Sequence, residues 1–156
     1  MSAQSFDHQV YGLCVALDLS ALRNGFDRYI HAVLDPELSG EERRIDLKHM
    51  RFWYPYYADV VTDVAELRKP RVEKRTLKVI NSQSQIDYEP YTNDQIVADL
   101  KAAQETILLN LPRIPPDRYI PYKNGSQYLP DKYAATLVVH LRMHWEYLEK
   151  LAQKKK

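Results

Sequence analysis

The segment 133–151, YAATLVVHLRMHWEYLEKL, constrains the chain most, because it fits a long amphipathic helix that carries two histidines on its apolar face. At about 100° per residue Leu137, Leu141, Leu148 and Leu151 fall on one stripe, and His140 and His144 fall inside it. Side chains there point inward. Imidazoles four residues apart on a helix stand roughly 6 Å from each other, close enough to share one metal ion or one hydrogen-bonded network. The H-x-x-x-H spacing alone does not separate a metal site from core histidines whose ring nitrogens have found protein partners.

Composition narrows the classes of function. With 156 residues the chain suits a single domain, 1–156, whose core needs no disulfide or structural metal. Lys plus Arg (22) nearly balances Asp plus Glu (21), so no global field draws the protein to nucleic acid or to acidic membranes. The one cysteine, Cys14, sits between Leu13 and Val15 and reads as a small buried hydrophobe. No signal-peptide pattern opens the chain and no apolar run approaches membrane-spanning length, so a soluble, cytoplasmic protein is expected. Four glycines leave little material for a nucleotide-cradling loop, and G-x-S-x-G and Cys-x-x-Cys are absent from the sequence.

The apolar periodicity predicts four long helices. The first spans about 13–34, with Val15, Leu19, Leu22, Phe26, Tyr29, Ile30 and Val33 on its core face, an interruption at Asn24-Gly25, and a stop at Asp35-Pro36. Ser39 caps the second, with Glu41 and Glu42 in its first turn and an inward stripe of Ile45, His49, Phe52 and Tyr56. Pro55 bends or restarts this helix, and the pattern resumes through Val60, Val61, Val64 and Leu67 until Pro70. His8 and His31 have no core placement and read as ordinary.

Six basic residues in 68–78 face one acid, Glu73, but no stacking aromatics interleave them, so this stretch reads as a solvated connector and not a nucleic-acid patch. Residues 76–80 suit a short extended piece followed by a polar loop. The next helix is sharply delimited: Thr92 and Gln95 make a capping box, and Ile96, Val97, Leu100, Ala103, Ile107, Leu108 and Leu111 mark one face until Pro112. Between Pro112 and Pro130 lies a stiff loop rich in proline and tyrosine, with a tight turn at Asn124-Gly125. The expected fold is therefore all-α, an antiparallel four-helix bundle with a long Pro/Tyr-rich loop before the last helix.

If the stripes are assigned correctly, His49 joins His140 and His144 in one bundle interior. Three neutral imidazoles around a divalent ion leave at least one position open for water or substrate, the arrangement of a catalytic site. In this order of elements the chain resembles the DinB/YfiT-like superfamily, and the segment YEPYTNDQIVADLKAAQETILLNL together with TLVVHLRMHWEYLEKL looks most like it. That resemblance implies a metal held by one histidine of the second helix and two of the last. In one register the pair is His140 and His144. In the other, His144 matches the first member and the second falls on Leu148, which cannot ligate.

The resemblance further implies a metal-dependent enzyme that transfers thiols or hydrolyses a small-molecule substrate, with Zn, Ni, Mn or Fe as the divalent metal. The rival expectation is a non-catalytic small-molecule-binding or stress-associated module, favoured by Leu148. Trp53, Tyr54, Tyr122 and Tyr128 are the candidate substrate-binding residues. A homodimer fits many helical bundles, with no face singled out.

Overall fold

The computed structural model describes residues 19–156, so the start of the first helix, Cys14 and His8 lie outside the described residues. The chain is all-α, with five α-helices and very little strand among the described residues. The described part of α1 covers 19–33, and its buried face is Leu22, Phe26, Tyr29, Ala32 and Val33. Gly25 does not interrupt it. A Cβ at that position would lie 3.2 Å from Trp145 Cζ3, so the glycine allows a close approach to the last helix in place of the expected break.

Helix α2 runs Gly40–Ala65, with Ser39 and Glu42 forming a capping box. It continues through Pro55 without restarting. Proline removes one backbone donor, and the packing of Trp53, Tyr54, Tyr56 and Tyr57 around it holds the helix together. The core face is broader than the expected stripe: Tyr56 is buried, Phe52 packs against the core and His49 meets the last helix, but Ile45 leaves it. Ile45 is half exposed at 50%, whereas Asp46, Leu47, Met50, Trp53, Tyr57, Val61 and Val64 are buried. Asp46 faces inward because Tyr29 and His144 take up its carboxylate oxygens, as described below. Leu67 also leaves the stripe, lying past the helix end with φ 61 and 76% exposed.

The connector ends in a helix that the sequence reading did not find. Instead of an extended piece and a polar loop, α3 spans Leu77–Asp87, with the Thr76 hydroxyl accepting from Val79 N–H. Its apolar signal is weak because it buries only Ile80 and Ser84. What docks it is polar: the buried Lys48 ammonium of α2 donates to Gln85 O at 3.1 Å and pairs with Glu89, and Gln85 Nε2 donates to Ile45 O at 3.1 Å. The basic stretch before it is a connector without regular structure as far as Thr76. Arg68 pairs with Asp63 and Glu66, Arg71 with Asp59, and Arg75 with Glu73.

Helix α4 spans Asn93–Asn110, opened by the Thr92–Gln95 capping box and followed by a 3-10 turn at Leu111–Arg113. It packs against α2, where Tyr54 OH donates to Gln104 Oε1 at 2.6 Å. The Pro/Tyr-rich loop folds into a small hairpin, β1 (Ile120–Pro121) antiparallel to β2 (Gln127–Tyr128), with Ile120 opposite Tyr128. Its turn is closed by Ser126 N–H donating to Lys123 O, with Asn124 at φ 55 and Gly125 at φ 76. Two successive positive φ values define the type I′ turn that Asn-Gly favours. Helix α5, Pro130–Gln153, closes the fold and buries Leu137, Leu141 and Leu148. No described helix is long and apolar enough to cross a membrane.

Thr92→Ala removes the side-chain acceptor for Gln95 N–H, and we expect it to lower stability by ~1 kcal/mol in chemical denaturation. An unchanged denaturation midpoint would contradict this role for the cap.

Candidate metal centre

Asp46 and His49 stand three residues apart on α2, so they share one face of that helix. His140 and His144 stand one turn apart on α5 and meet that face. Each of His49, His140 and His144 offers a ring nitrogen that lies within 4.8 Å of the other two, close enough for one metal ion to be held among them. The ring centroids of His49 and His144 are 4.9 Å apart, as are those of His140 and His144, while His49 and His140 are 6.1 Å apart. His140 and His144 are the pair that faces His49, and Leu148 is a fully buried core residue.

A chain of hydrogen bonds fixes the rings. Asp46 is buried, and its Oδ1 accepts from Tyr29 OH at 2.7 Å while its Oδ2 accepts from His144 Nδ1–H at 2.9 Å. Since a carboxylate can only accept, the His144 proton sits on Nδ1, and its Nε2 carries a lone pair aimed into the site. That Nε2 lies 3.2 Å from His140 Nε2. The other nitrogen of His140, Nδ1, lies 2.9 Å from Tyr57 OH, which in turn is 3.4 Å from Tyr122 OH.

Two proton arrangements satisfy this chain. In the first, Tyr57 OH donates to His140 Nδ1 and His140 Nε2–H donates to His144 Nε2, so the network is complete by itself. In the second, the His140 proton sits on Nδ1 and is donated to the Tyr57 oxygen, leaving both Nε2 lone pairs free for a cation. The two differ by one tautomer shift on His140.

Electrostatics favour the neutral form of His49 and His140. Burial, helped by the neighbouring His144 and opposed by Asp46, lowers the His49 pKa from 6.5 to about 4. Burial also pushes His140 well below its ordinary value, with Lys123 and the other two histidines adding to the effect. Neutral imidazoles are the form that ligates metal.

The triad is reached from two cavities. One, of about 600 Å³, lies between α2, α3 and α5 and is lined by Ile45, Asn81, Ser82, Gln85 and Tyr147 beside His49 and His144. The other, of about 440 Å³, lies under the hairpin and brings Tyr122, Lys123, Val139 and Met143 against His49, His140 and His144. Lys123 Nζ sits 4.1 Å from the centroid of the Trp53 ring, and burial lowers its pKa to about 8.

Of the four aromatic residues expected to bind substrate, Tyr122 lines the second cavity. Trp53, Tyr54 and Tyr128 line neither: Trp53 is covered by Lys123, Tyr54 is buried against Gln104, and Tyr128 packs beside Tyr122. Sequence reasoning missed Asp46, Tyr57, Asn81 and Lys123. A signal existed for Asp46, three residues before a histidine already placed on the core face. The other three come together only through tertiary packing. Compared with protein-family models, with curated proteins and with solved structures, this chain finds no match.

The lowered pKa of His49 sets the sign of a pH dependence. The unfolded imidazole takes up its proton near 6.5 and the folded one only near 4, so the unfolded state binds more protons in between. Stability contributed by the neutral ring is complete above 6.5 and is lost as pH falls toward about 4. In chelator-treated protein, Tm should decline between about pH 6.5 and about pH 5, above the range of ordinary carboxylates, and decline less in His49→Gln. Parallel Tm profiles for the two proteins would contradict it.

Proposed function

We propose that His49, His140 and His144 hold one divalent metal ion, Zn, Ni, Mn or Fe, and that the protein is a metal-dependent enzyme of the DinB-like type. The observation that carries this reading is the convergence of three imidazole nitrogens at the meeting point of two cavities. The donor set fits a catalytic ion: three neutral nitrogen ligands, with room beside them for a small molecule. The ion would supply Lewis acidity at neutral pH, favouring the deprotonated form of a water or a thiol, the chemistry of hydrolysis or thiol transfer.

The chain's own residues have separable tasks in this reading. His49 comes from α2 and the other two ligands from α5, so the site forms only when those helices are packed. Asp46 holds His144 in the tautomer that presents Nε2, and Tyr57 accepts the Nδ1 proton of His140. Tyr122 and the exposed side chains of Val139 and Met143 form the wall against which a substrate would lie. In the same reading, α1, α2, α4 and α5 are the four members of an antiparallel bundle and α3 is an addition in the connector. The short link from α1 to α2 supports this.

A second reading, a metal-free small-molecule-binding module, is favoured by one specific feature. The chain from Tyr57 through His140 and His144 to Asp46 can satisfy every donor and acceptor without a cation. Metal content separates the two. Untagged protein should carry close to one equivalent of metal by elemental mass spectrometry after gel filtration, and His49→Ala should lose it. Asp46→Asn should weaken the affinity by about ten- to a hundredfold. Protein that remains metal-free after divalent ions are added back would rule out the enzyme reading and leave the binding module.

A further inference from the structure

We infer that the cavity under the β1–β2 hairpin is a binding site for a small organic acid with an apolar body, whose carboxylate is held by Lys123. The lysine sits at the turn of the hairpin, half-buried, with its ammonium 4.1 Å from the centroid of Trp53, 5.6 Å from that of Tyr122 and 5.7 Å from that of Tyr57. Aromatic faces attract the charge but give it no acceptor for its hydrogen bonds. No carboxylate among the described residues forms an ion pair with it. The nearby acid of the site, Asp46, has both oxygens committed, one to Tyr29 and one to His144.

The other cations held away from water on α2 have acceptors. Lys48 has Glu89 and Gln85 O, and Arg51 has Asp99. Lys123 has none among the described residues, and it lines a cavity whose remaining wall is Tyr122, Val139, Met143, the three imidazoles and Thr136, whose hydroxyl donates to Lys132 O. A half-desolvated cation at one point of an otherwise apolar hollow recognises a ligand that carries one negative group on an apolar frame. A neutral ligand would leave the charge of the ammonium unpaired, and a polyanion would find no second cation among the residues lining this cavity.

The histidines adjoin the same space, so the inference also gives the substrate class for the proposed metal centre. That link rests on the metal reading, whereas the binding itself does not.

The test uses the full chain, treated with chelator so that a carboxylate cannot bind through a metal. Hexanoate and hexanamide have the same apolar body and differ in charge. By isothermal titration calorimetry hexanoate should bind about tenfold or more tighter than hexanamide. Lys123→Met should bring the two affinities together, and Lys123→Arg should keep them apart; circular dichroism of both variants should match the parent. Equal affinities in the parent protein, no binding of hexanoate, or a preference that survives in a folded Lys123→Met would each overturn the proposal. A protein that takes up no divalent ion when ions are added back, yet prefers hexanoate, would leave the carboxylate site standing and the metal centre refuted.

Discussion

The structure turns on a buried carboxylate. Asp46 is 7% exposed, and a charge removed from water to that degree is tolerated only when its lone pairs are taken up. Tyr29 of α1 and His144 of α5 take them up. One α2 side chain thereby ties three helices together and fixes the tautomer of a histidine. Losing either partner leaves one oxygen of a buried carboxylate unsatisfied, a penalty of roughly 1–3 kcal/mol, so the carboxylate, the tyrosine and the histidine hold each other in place. Around them the packing is aromatic. Phe26 stacks on Tyr54 at 5.3 Å, Trp53 on Tyr57 at 6.0 Å, and Tyr57 on Tyr122 at 5.4 Å, which carries the rigidity of α2 outward to the hairpin.

Sequence and structure agree where the physics is local. The Thr92–Gln95 capping box needs only residues three apart, and it opens α4 where the pattern places it. The apolar stripe of α5 includes His140 and His144 because both repeat at helical spacing with Leu137, Leu141 and Leu148, and the turn at Asn124-Gly125 follows from two residues that tolerate positive φ. Agreement fails where polar contacts over a long range decide the outcome. Helix α3 has almost no apolar face and is held by Lys48, so no periodicity announces it. Asp46 carries no apolar signal, and its place on the core face rests on Tyr29 and His144 beside it.

The site was legible in part for the same reason. His49 could be placed on a core face, but its meeting with α5 depends on how two helices cross, which no local pattern encodes. Lys123 was invisible. It belongs to a hairpin turn 74 positions further along the chain than His49, and it becomes part of the site only when the hairpin folds back over Trp53 and Tyr57. The cleft that results combines neutral imidazoles, one cation and apolar walls, a setting in which a bound ion or a charged ligand is poorly screened.

The central claim is that three imidazoles and no other protein group bind one ion. Zinc K-edge X-ray absorption of the zinc-loaded, untagged protein tests it directly. The account predicts a first shell of nitrogen and oxygen scatterers near ~2.0–2.1 Å, with multiple scattering from three imidazole rings. A sulfur scatterer near ~2.3 Å, or scattering from fewer than three imidazoles, would contradict it.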